Sequence, residues 1–132
     1  MRQAVLILAT LVALVGLSSC DGYKYKGMDG DEALKASQEM DLTESYEFYV
    51  ATYKGTSPPM LDVAKTFRRF GPHGVSYLET KALNAKDAEE FNAATMALLI
   101  LDARCSHDLA IQLQKKTKNL HTDSSYVSQF CS

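Results

Sequence analysis

Tryptophan is absent from the chain, and no stretch has the strict apolar–polar alternation of a half-buried strand, so the pattern gives no support to a sheet. A basic surplus is missing too. Fourteen Lys and Arg stand against sixteen Asp and Glu, a formal net charge of −2, which excludes the footprint of a nucleic-acid binder. The histidines, His73, His107 and His121, are scattered, and the neighbours His107 and Asp108 cannot chelate as two ligands one helical turn apart do. Gly-x-Ser-x-Gly, P-loop, Gly-x-Gly-x-x-Gly and His-Glu-x-x-His patterns do not occur. Glu89 and Glu90 are adjacent, so on a helix they point to different faces and make a poor acid–base pair. A Cys105–His107 nucleophile would need a free thiol. These absences lead to the expectation of a protein that is not an enzyme and uses no metal or cofactor.

A bilayer-spanning run is also lacking: Ala4 to Leu17 is apolar but short of the roughly 20 residues a span needs. Arg2 precedes it as a positive n-region, and Ser18 and Ser19 follow as the small residues of a signal-peptidase site. Leu17-Ser18-Ser19-Cys20 resembles the lipobox of bacterial lipoproteins. That resemblance implies a signal peptide over 1–19, cleavage between Ser19 and Cys20, and a diacylglyceryl group on the Cys20 sulfur. Two or more acyl chains anchor a protein stably, at about 0.8 kcal/mol per buried methylene. Asp21 resembles the inner-membrane retention signal of enteric lipoproteins, which favours the periplasmic face of the inner membrane over the outer membrane. An uncleaved signal anchor, or a generic signal that leaves Cys20 as an ordinary thiol, are the alternatives.

With Arg2 removed with the signal, the mature balance is about −3, in a chain long enough for one core and too short for two. In an oxidising compartment Cys105 and Cys131 remain as a pair for a disulfide, and closing that loop contributes roughly 3 kcal/mol in the chain-entropy model. Residues 20–31, glycine-rich and polar, read as a flexible tether, and residues 32–132 as a single all-α domain.

About six helices are expected in that domain. The first runs over 32–40, and the second over 43–54 with Thr43 as its cap and Tyr46, Tyr49, Val50 and Tyr53 at helical spacing. The third spans 59–70, with Leu61, Ala64, Phe67 and Phe70 in one stripe and Gly71-Pro72 ending it. The fourth spans 74–83. The fifth, capped by Asp87 and running to about Arg104, is apolar nearly all round and so belongs between neighbours. The sixth covers 107–118 and ends in Lys115, Lys116 and Lys118.

A shift of roughly thirty residues lays the segment from Ser57 over that from Asp87, cap upon cap and stripe upon stripe. Together with Phe70 to Glu79, Leu83 to Ala88 and Ala93 to Leu99, the pattern resembles a HEAT-type repeat, although Glu89-Glu90 replace that family's usual arginine. The resemblance implies stacked antiparallel hairpins with a protein-binding surface; a compact bundle would give the same pattern.

The candidate partner-binding residues are Arg68, Arg69 and His73, a compact cationic group suited to a carboxylate-rich partner, and Glu44, Glu47, Glu89 and Glu90, able to steer a basic one. Compensation of helix ends is the competing role for both sets. The expected function is a membrane-anchored, periplasm-facing protein-binding module, with an immunity protein that occludes a toxin as its specific form. A pilotin-like assembly factor for a secretion or pilus component, and a hydrolase of envelope polymer, are the alternatives.

Overall fold

The structure, a computed structural model, describes residues 27–132. The expected signal peptide, cleavage at Ser19–Cys20 and lipidation of Cys20 lie outside the described residues. Within them the chain is all helical: α1 (Gly30–Ser37), α2 (Leu42–Gly55), a 3-10 helix (Leu61–Phe70), α3 (Pro72–Asn84), α4 (Ala88–Ile100), α5 (His107–Leu120) and α6 (Ser125–Phe130).

The first two helices begin earlier than expected because each opens on an Asp-x-x-Glu capping box. Asp29 accepts from the Glu32 amide at 2.8 Å and Glu32 returns to the Asp29 amide at 3.3 Å; Asp41 and Glu44 repeat the exchange at 2.8 and 3.1 Å. Asp41, not Thr43, therefore caps α2. The ordered domain also reaches into the stretch read as tether, since α1 starts at Gly30 and Met28 packs against the core.

The third element is not an α-helix. Leu61–Phe70 is a 3-10 helix with three residues per turn, so every third residue eclipses the last. Val63 and Thr66 lie on one buried line, Ala64 and Phe67 on another, and Asp62, Lys65 and Arg68 face solvent. It starts on Met60 with no side-chain cap, whereas α4 starts on Asp87, which accepts from the Glu90 amide at 2.8 Å. The segments aligned as repeats thus differ in helix type and in cap.

Gly71, at φ 56°, ψ −140°, turns the chain, and Pro72 opens α3, two residues ahead of the expected start. Gly74 sits so close to the 3-10 helix that a Cβ there would lie 2.7 Å from the Phe67 carbonyl oxygen. The expected extension of α4 to Arg104 is cut at Ile100 by a Schellman motif: Ala103 N–H donates to Leu98 O at 3.1 Å and Asp102 N–H to Leu99 O at 3.1 Å, with Asp102 at φ 55°. His121, φ 52°, ends α5 in the same way. Ser106 caps α5 through the Leu109 amide, and Leu109, Leu113 and Thr117 face inward while Ile111 is 56% exposed. The short α6, which the periodicity did not reveal, buries Val127 and Phe130.

Packing centres on two elements. The 3-10 helix touches α1, α2, α3 and α4, and α4 touches α2, α3, α6 and the 3-10 helix. Such closure around a middle fits the compact bundle, one of the two arrangements the pattern left open. Tyr49, Phe67, Leu78, Phe91 and Leu98 fill the interior, and Tyr49 and Phe67 meet edge to face at 5.8 Å. The outer helices α1 and α5 lean on different sides of this centre: α1 on the 3-10 helix, α5 on α3 and α6.

Candidate functional site

The cationic group expected at 68–73 does not converge on one surface. Arg69 folds back over the end of α1, where its guanidinium donates to the carbonyls of Ser37 (2.9 Å), Met40 (2.7 Å) and Gln38. Its Nε donates to Thr66, and its fork also reaches Ser45 Oγ at 3.3 Å. Helix termini leave carbonyls without intrahelical donors, and one planar fork satisfies several at once. Arg68 turns the other way and donates to Ile100 O at 3.3 Å, the last residue of α4. His73 is exposed in the first turn of α3. Each arginine thus compensates the end of a helix other than its own, a contact that the sequence spacing could not reveal.

The acidic candidates divide similarly. Glu44 is held in the α2 capping box, and Glu90 accepts from the Tyr46 hydroxyl at 3.2 Å and the Lys86 amide at 3.4 Å. Glu47 and Glu89 are exposed and have no side-chain hydrogen bond or ion pair among the described residues. Glu47 belongs to a larger acidic face: Asp29, Asp31, Glu32, Glu39, Asp41, Glu44 and Glu47 are all exposed, with Lys35 the sole cation between residues 29 and 47.

Cys105 and Cys131 are bonded, with Cα atoms 5.0 Å apart, so the chain end is tied back beside the α4–α5 connection. Three tyrosines on α2 are shifted upward. Burial pushes Tyr53 up to about 12, helped by the adjacent Tyr126 and by Glu89. Burial also raises Tyr49, whose hydroxyl donates to Ala93 O at 2.7 Å, and Tyr46, where Glu90 adds to the effect. Lys81 lies over both the Tyr46 and Tyr77 rings, 5.0 and 5.4 Å from their centroids. Asp87 moves the other way: the Glu90 amide, with Lys54 at 3.5 Å, holds its carboxyl below the ordinary value. These contacts weld α2 to α4.

One concave surface stands apart from this welding. Between α3 and α5 lies an open groove of about 510 Å³, lined by Thr80, Asn84, Gln112, Lys115, Lys116 and Asn119, with Leu83 as its apolar member. Thr80 donates to Ser76 O, but the three carboxamides and two ammonium groups make no hydrogen bond or ion pair among the described residues. The lysines were visible in the sequence as a helix-end cluster. Asn84, Gln112 and Asn119 carried no signal, because carboxamides are ordinary on any helix surface and only the α3–α5 packing brings them together.

The described residues thus form a small all-α domain closed by the Cys105–Cys131 disulfide, with an acidic face on α1 and α2 and a cationic amide-lined groove between α3 and α5. No family model matches it, and no curated protein or solved structure does so either.

Proposed function

We propose that the protein is an envelope lipoprotein, anchored through Cys20, whose helical domain works by binding another protein. The observation that carries this reading is the Cys105–Cys131 bond. Disulfides persist in exported proteins and are rare in reducing compartments, so the bond supports the same export that the apolar run and Leu17-Ser18-Ser19-Cys20 suggest. Because the two domain cysteines pair with each other, the domain makes no claim on Cys20. The first helix starts at Gly30, ten residues after Cys20, so the length of chain between them limits how far the domain stands from the bilayer.

The specific form we favour is an immunity-type inhibitor that occludes a basic toxin. The acidic face, with Glu47 and the separate Glu89 unengaged, supports it: exposed charge of one sign steers an oppositely charged partner and speeds its encounter. Intact-mass spectrometry of membranes tests the anchor. A mature species that begins at Cys20 with a diacylglyceryl thioether is expected, and an intact start methionine on a soluble product would refute it. The role is tested by deleting the gene and challenging the strain with toxins of rival strains and of neighbouring genes; a deletion strain indifferent to all of them would overturn the immunity form.

A further inference from the structure

We infer that the α3–α5 groove is a binding site for an extended acidic peptide segment of a partner protein. Three features converge. Lys115 and Lys116 give the groove positive charge, and no carboxylate lines it among the described residues. Asn84, Gln112 and Asn119 each carry a donor and an acceptor on one planar group, matching the alternating N–H and C=O of an extended main chain. All five side chains lack partners within the domain, although Arg68, Arg69, Glu44 and Glu90 on other surfaces are engaged.

A sugar polymer is the less apt occupant. Glycan hydroxyls would suit the carboxamides, but the groove offers no aromatic face for a sugar ring, Leu83 being its apolar side chain. A lipid surface is disfavoured by placement. The chain enters the domain at α1, which packs on the 3-10 helix, whereas the groove is built by α3 and α5, whose main contacts are with α4, α6, the 3-10 helix and each other. The choice of a protein occupant rests on the protein-binding reading above; the groove and its chemistry do not. The partner it fits carries spaced Asp or Glu residues in a segment without fixed structure, distinct from the basic partner that the acidic face would steer.

The test uses the full chain in detergent and a fluorescein-labelled peptide of alternating glutamate and serine, followed by anisotropy. Saturable binding is expected, weakened by salt and lost when glutamine replaces glutamate. Lys115→Ala and Lys116→Ala each reduce affinity about tenfold, and Lys118→Ala, on the same helix but outside the groove, leaves it nearly unchanged. Asn84→Ala and Gln112→Ala weaken binding several-fold without altering its salt slope, and circular dichroism verifies that each variant is folded. Absence of saturable binding, equal losses from all three lysine variants, or preference for an oligogalacturonate over the peptide would each overturn the inference. Peptide binding by a chain whose Cys20 proves unlipidated would sink the anchor alone.

Discussion

Arg69 serves the end of α1 with a fork that no other side chain can copy. Arg69→Ala removes the donor shared by the carbonyls of Ser37, Gln38 and Met40, of which Ser37 keeps the Met40 amide at 3.1 Å and Met40 keeps Ser45 Oγ at 3.5 Å, and a loss of about 1–2 kcal/mol in denaturant unfolding is expected. Arg69→Lys recovers only part of it, because a compact ammonium lacks the planar geometry. A role in partner recognition alone would leave stability unchanged in both variants. Asp102 and His121 supply the opposite experiment. Each holds a left-handed conformation in which a Cβ is strained, so Asp102→Gly and His121→Gly are expected to stabilise by about 0.5–1 kcal/mol each, read as a higher Tm.

At the level of elements, the junction between the 3-10 helix and α3 has the least room. Gly74→Ala sets a methyl 2.7 Å from the Phe67 carbonyl oxygen, backbone that cannot swing aside, and a loss of about 1–3 kcal/mol is expected by thermal melting. The third element was legible as a helix but not as a 3-10 helix. Leu61, Ala64, Phe67 and Phe70 recur by threes with no step of four, and Asp62, Lys65 and Arg68 do the same on the solvent side. Val63 and Phe67, both buried and four apart, suit 3.6 residues per turn equally well, so the pattern did not decide the helix type. The cap at Asp87 was read from its position ahead of an apolar run, and the same logic applies to Asp29 and Asp41, whose Glu partners lie three residues on. The stops at Asp102 and His121 were hidden because left-handed caps are normally announced by glycine. The groove was hidden for a different reason: its side chains come from helices far apart in sequence, and none of them is unusual alone.

At the scale of the whole molecule, proton-holding tyrosines set an upper pH limit. Tyr53 rises to about 12 in the folded chain against an ordinary value of 10, so its contribution is intact below pH 10 and is lost as the pH climbs toward 12. Tyr46 and Tyr49 act in the same direction. Alkaline titration is expected to show tyrosinate absorbance rising together with loss of helical ellipticity, and Tyr53→Phe should soften that coupling. The disulfide divides the molecule differently. Reduction, or Cys105→Ser with Cys131→Ser, is expected to cost roughly 3 kcal/mol, with amide exchange in α6 accelerating ahead of α4.

The placement of Arg69 also bears on mechanics. Tension applied at the amino end enters through α1, whose packing is on the 3-10 helix and whose final carbonyls are gripped chiefly by that guanidinium, with Thr66 and Ser45 as weaker donors. The opposite terminus is locked by a covalent bond. A stretched molecule therefore yields first at its leading helix, shedding a short length of slack while the interior around Phe67 and Phe91 stays shut. Arg69 is the fuse in that sequence.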